Sequence, residues 1–114
     1  HPLNVRAALW AMRALRIARR RLPKDGLRTR VPGPPALPRG AGRGVHAVLR
    51  RQESTCLERA LVLQRWLLAH GGRHDVIIGV RPGGATLDAH AWLDFEAADP
   101  HVAVYRELTR IGAR

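Results

Sequence analysis

The chain of 114 residues has one cysteine, Cys56, so no internal disulfide can form, which fits a reducing cytosol. It has one lysine, Lys24, so nearly all of its positive charge is arginine. Acidic residues are scarce: nine against twenty basic ones, a formal net charge of +11. That balance attracts anionic partners without choosing among nucleic acid, acidic peptide and lipid headgroups. Aromatic residues are limited to Trp10, Trp66, Trp92, Phe95 and Tyr105. They do not interleave with clustered arginines as a single-strand nucleic-acid platform requires. No apolar run approaches the ~20 residues of a membrane span. His46, His70, His74 and His101 lack paired ligand spacing, and there is no second cysteine, so no metal is expected. No cofactor motif and no internal repeat is present. The length allows one domain with one modest core.

Residues 3–22 carry Ala8, Met12, Leu15, Ala18 and Leu22 at helical spacing and read as a helix with a basic outer face, ended by Pro23. The segment is basic and amphipathic in the manner of a transit peptide, but it has little serine and no cleavage signal. The chain begins at His1 rather than Met, as a tag remnant or an upstream truncation would leave it. Residues 24–44 are rich in Pro and Gly and predict a linker or a long loop wrapping the domain. Residues 45–52 predict a short helix. A longer one runs from Cys56 to about His70, where Gly71-Gly72 stops it. Residues 75–81 are β-branched and predict a buried strand. Pro82-Gly83-Gly84 makes a turn, and residues 87–94 alternate as a second strand. Asp88, His90, Trp92 and Asp94 share one of its faces. Residues 101–105 predict a third strand in an antiparallel meander, and 106–114 a short tail. Helices segregated from a sheet give an α+β class. The division is a basic helix (1–23), a Pro/Gly loop (24–44) and a core (45–114), one domain overall.

One stretch organises the rest: Ser54-Thr55-Cys56-Leu57-Glu58-Arg59-Ala60-Leu61. Thr55 and Glu58 have the spacing of a capping box, which makes Cys56 the first residue of a helix. Free backbone N–H groups and the helix dipole favour negative charge there, and the thiolate is the nucleophilic form of cysteine. A lone cysteine is more often a small buried hydrophobe, and only its company lifts that reading. Cysteine hydrolases need a histidine base, an acceptor that orients it, and donors for the oxyanion. A Cys opening a helix, followed by a sheet that presents His90, supplies the first two partners in the order that papain-like and transglutaminase-like folds use.

The blocks Ser-Thr-Cys-Leu-Glu-Arg-Ala-Leu (54–61), Ile78-Gly79-Val80-Arg81 and Ala89-His90-Ala91-Trp92-Leu93 together resemble the leader peptidase of lasso-peptide biosynthesis, a transglutaminase-like cysteine protease, over about residues 45–110. The resemblance implies cleavage of a precursor's leader peptide by a Cys-His-Asp triad, with Cys56 as nucleophile and His90 as general base. It also implies a small leader-binding partner of the PqqD-like kind, separate or fused, and a downstream lasso cyclase. The setting is then bacterial and cytoplasmic.

The third member is open among Asp88, Asp94 and Asp99. On a regular strand Asp94 lies about 13 Å from His90 and Asp88 about 6.6 Å, at ~3.3 Å per residue. Asp99 meets His90 across a hairpin if the chain turns near Asp94-Phe95, and is chosen on that ground. If it turns at Ala97-Ala98, Tyr105 falls opposite His90 and a Cys-His dyad remains. Gln52 is a candidate side-chain donor to the oxyanion beside the Cys56 N–H, and Trp92 a candidate cleft residue. Two other classes remain: acyl transfer by a transglutaminase or amidase on the same scaffold, and a non-catalytic basic binding module.

Overall fold

The computed structural model describes residues 1–114. The first helix, α1 (Pro2–Asp25), runs past Pro23 to a Gly26 cap with φ 55°. A proline so near the end forfeits a single intrahelical bond, so the helix stops at the glycine rather than at the proline. Its buried seam is Ala7, Trp10, Ala11, Ala14, Leu15 and Ala18. Leu15 and Ala18 are as the periodicity predicts, but small alanines take the centre while Ala8, Met12 and Leu22 sit at its margin. Small residues let α2 (Gly42–Arg51) come close. A Cβ on Gly44 would collide with the backbone carbonyl of Asn4, so only glycine fits that crossing.

The Pro/Gly segment wraps the domain. Thr29, Val31, Leu37 and Ala41 are buried along it, and Trp10 Nε1 donates to the Pro32 carbonyl (3.0 Å). α3 (Cys56–Ala69) follows, and Gly71 leaves it with φ 86°.

The sheet has β1 (Val76–Gly83), β2 (Thr86–Leu93) and β3 (Arg106–Ile111), all antiparallel, in the order β2-β1-β3. Gly84, φ 74°, opens the tight β1–β2 loop, as a primed hairpin turn demands. The expected meander is corrected here. After β2 the chain does not return beside it. It crosses one face of the sheet through a 3-10 turn (Asp94–Glu96) and the short α4 (Pro100–Ala103), then pairs with the far edge of β1. Residues 101–105 are therefore not a strand and 106–111 are. Asp99-Pro100 is an N-cap followed by an N1 proline, a helix-start signal that outweighs the alternation of Val102 and Val104.

The sheet separates two apolar layers. Val76, Ala91, Leu93 and Ile111 join the helices in the main core, against which Cys56 and Leu57 also pack. Ile77, Trp92 and Val102 form a smaller cluster on the other face, with Tyr105 against it. The result is a mixed α+β domain in which the N-terminal helices and the sheet share one core. No helix is long and apolar enough to cross a membrane.

Candidate active site

Thr55 caps α3 as the sequence predicts. Its hydroxyl accepts from the Glu58 N–H (3.2 Å), and Glu58 Oε1 accepts from the Thr55 N–H (3.0 Å). Arg19 then locks this corner. It donates to Glu58 Oε1 (3.2 Å) and to the Gln52 carbonyl (2.6 Å), tying the turn before Cys56 to α1. Sequence reasoning treated Arg19 as one of many charges on a basic face. Its role depends on a contact 39 residues away. The turn itself needs strain: Glu53 has φ 49°, the one non-glycine residue with positive φ. Cys56 is thus the first residue of α3, half-buried, with its sulfur a free thiol.

His90 lies on β2, opposite Gly79 on β1. The missing side chain at 79 is what shapes this face. Trp92 leans over Gly79, so a Cβ there would strike its ring. His90 packs on Trp92 at 6.0 Å between ring centroids, nearly parallel, and on Tyr105 at 5.1 Å. Trp92 and Tyr105 are 6.1 Å apart, so the three rings form one cluster. Trp92 thereby occupies the place beside His90 that its strand position suggested, and its indole Nε1 is buried without an acceptor.

Tyr105 is the hub. Its hydroxyl donates to Asp88 Oδ2 (2.9 Å), and the guanidinium of Arg81 sits 5.1 Å over its ring. Arg81 Nε also donates to Asp88 Oδ2 (3.0 Å). The Tyr105 bond first, then the Arg81 bond, hold the Asp88 carboxyl below its usual range, and the charge of His90 acts in the same direction. The bond to Asp88, above all, raises the Tyr105 phenol, and the charge on Cys56 adds to the rise. Cys56 and His90 share no hydrogen bond; Cys56 packs against the main core, His90 stacks in the ring cluster, and Tyr105 contacts the His90 ring and feels the charge of Cys56.

The other expected site residues lie elsewhere. Asp99 shares no hydrogen bond with His90. The hairpin that would bring it across does not form, and its carboxylate caps α4 by accepting from the His101 N–H (2.9 Å). Asp94 is taken by His74 Nδ1 (2.8 Å) and the Asp75 N–H (2.9 Å). Gln52 closes α2, and its exposed side chain lines a cavity with Met12, Arg16 and Arg20 of α1. That places it on the α1 side of the turn, without a hydrogen bond to Cys56. Tyr105, which the alternative hairpin would have put opposite His90 with no acid, does reach His90, but by the crossover rather than by a hairpin, and it is hydrogen-bonded to Asp88. No three His, Cys, Asp or Glu side chains converge to hold a metal ion.

Comparison with known proteins agrees with this architecture. No curated protein and no solved structure matches the chain. The family model described as transglutaminase-like superfamily matches residues 3–107, so α1 and the Pro/Gly strap belong to the same domain as the Cys56 helix and the sheet. That fold typically carries cysteine-protease or acyl-transfer chemistry. The chain belongs to the transglutaminase-like superfamily.

Proposed function

We propose that this protein is a cysteine peptidase that removes the leader from a ribosomally synthesised lasso-peptide precursor. The observation that carries the reading is Cys56 at the start of a fully capped helix in a transglutaminase-like domain, with His90 on the second strand that follows. The resemblance of residues 54–61, 78–81 and 89–93 to the leader peptidases supports the choice of substrate.

In this mechanism His90 takes the thiol proton and Cys56 Sγ attacks the scissile carbonyl. The Cys56 N–H, unsatisfied at the helix start, faces the developing oxyanion. The C–N bond breaks, His90 returns the proton to the leaving amine, and an S-acyl enzyme remains. Water, deprotonated by His90, hydrolyses it to the carboxylate and restores the thiol. Catalytic hydrogen bonds are often long until substrate is bound, and in this reading the Cys56–His90 hydrogen bond forms in the substrate complex. Asp88, held beside the ring cluster by Tyr105 and Arg81, is the carboxylate assigned the supporting part in place of Asp99 in this reading. A small leader-binding protein delivers the precursor, and a cyclase consumes the product in the same cytoplasm.

The test is cleavage of the precursor in the presence of the leader-binding partner. Cys56→Ala and His90→Ala should each abolish it while circular dichroism stays unchanged; retained cleavage in Cys56→Ala sinks the mechanism. Acyl transfer is the second reading, since the superfamily carries both chemistries. Product mass separates them: a free carboxylic acid means water was the acceptor, an amide means an amine was.

A further inference from the structure

Two adjacent cavities outside the ring cluster form a grooved surface. The larger, about 540 Å³, lies over Leu63, Trp66, Leu67 and Phe95, with Arg39 and Arg43 at its rim. The smaller, about 270 Å³, is lined by Leu49, Arg50, Glu53 and Ser54. His46 and Arg59 line both, so the two cavities are adjacent, and the second reaches Ser54, two residues before Cys56.

Its charge is not balanced from within. Glu96 is spent on Arg59, which it grips with both oxygens (3.2 and 3.0 Å), and on the Leu93 N–H. Arg39 donates to the His70 carbonyl. Arg43 and Arg50 have no carboxylate partner, and neither does Glu53. The net field is positive, and His46 registers it: partial desolvation first, then Arg59 and Arg50, push its imidazole below the usual value. The floor is apolar, and Phe95 stays 56 % exposed above it. A groove with an apolar floor and unpaired cations at its edge fits an extended peptide that alternates carboxylates with an apolar side chain.

We propose that this groove binds an acidic segment of the peptide substrate, its carboxylates on Arg43 and Arg50 and an apolar side chain in the pocket over Trp66 and Phe95. The inference rests on the peptidase reading for its connection to cleavage, but binding is measurable without it.

The experiment uses the full chain carrying Cys56→Ala, so that no turnover intervenes. The probe is a fluorescein-labelled hexapeptide of alternating Glu and Leu, with a Gln/Leu peptide as the uncharged control, read by anisotropy. The Glu peptide should bind and the Gln peptide should not. Arg43→Glu/Arg50→Glu should weaken binding by about tenfold, as two exposed ion pairs permit, whereas Arg13→Glu/Arg20→Glu on the outer face of α1 should change it less than about twofold. Equal losses in the two variants would reduce the effect to general charge attraction and overturn the groove, as would equal binding of both peptides or of neither. Arg43→Gln/Arg50→Gln serves if the reversed variant does not fold. Groove binding without any cleavage by the wild-type protein would discard the peptidase reading and leave the groove; cleavage unaffected by these substitutions would do the reverse.

Discussion

Gly79 sits in the middle of β1 with an ordinary backbone angle, so nothing in its own conformation calls for glycine. Alanine there should gain about 0.4–1 kcal/mol by restricting the unfolded chain. The surroundings reverse that sign. A Cβ would collide with the Trp92 ring, coming within 2.7 Å of Cζ3, and within 2.9 Å of the Arg106 carbonyl oxygen. Neither neighbour can yield cheaply: Trp92 is 5 % exposed, and the Arg106 oxygen belongs to the backbone of β3. Overpacking of this kind costs about 1–3 kcal/mol, so Gly79→Ala should be destabilised by a net of about 1–2 kcal/mol. For a chain of this size that lowers Tm by roughly 4–8 °C. Thermal unfolding followed by circular dichroism measures it. Gly40→Ala, where a Cβ meets nothing within 4 Å, is the control and should not lower Tm. The clash can be isolated in a double-mutant cycle, because in a Trp92→Leu background the Gly79→Ala penalty should shrink by more than half. A Gly79→Ala protein as stable as the wild type, or a penalty that Trp92→Leu leaves intact, would refute the account. Under the proposed function, since Trp92 packs on His90, cleavage by Gly79→Ala should also fall at temperatures where the protein is fully folded.

Thr55→Ala removes half of the capping box before Cys56 and should cost about 1 kcal/mol in denaturant unfolding, while Thr55→Ser should be close to neutral. Tyr105 is the sole tyrosine, so ultraviolet titration of the phenolate reports it alone; its midpoint should lie above the ordinary value and drop in Asp88→Ala, which removes the bond most responsible for the rise. For Glu96, burial is the largest influence and favours the neutral acid, but the Arg59 and Leu93 N–H bonds outweigh it and hold the carboxyl low. Its folded pKa is depressed, so its contribution is fully present above about pH 4.3, the unfolded value, and is lost as pH falls through the folded one. Glu96→Gln should therefore flatten the fall of Tm below about pH 4.3, and an unchanged profile would discard that bond network as its source.

The local signals were legible because they are properties of a few neighbouring residues. Thr55 and Glu58 specify a helix start wherever that helix packs, and so put Cys56 at its first turn. Gly71 ends α3, and the β-branched run at 76–80 makes a strand, by the same short-range chemistry. The alternation of 87–93 put His90 and Trp92 on one face before any partner strand was known. What lay out of reach was the pairing. Whether the segment after β2 returns beside it or crosses to the other edge of β1 depends on packing Val102 and Tyr105 over Ile77 and Trp92, residues more than twenty positions apart in part. That single choice decides what stands beside the histidine: a hairpin would have delivered Asp99, and the crossover delivers Tyr105 with Asp88 hydrogen-bonded to it. Likewise α1 reads in sequence as a packing helix with a solvated basic face, and only the docking that its alanines and Gly44 allow shows that one of those arginines, Arg19, fastens the cysteine's corner. Sequence determined most of the elements and the places of Cys56 and His90 on them; the tertiary structure decided the third strand and their neighbours, because strand order and helix docking are settled by long-range burial and not by any local run of residues.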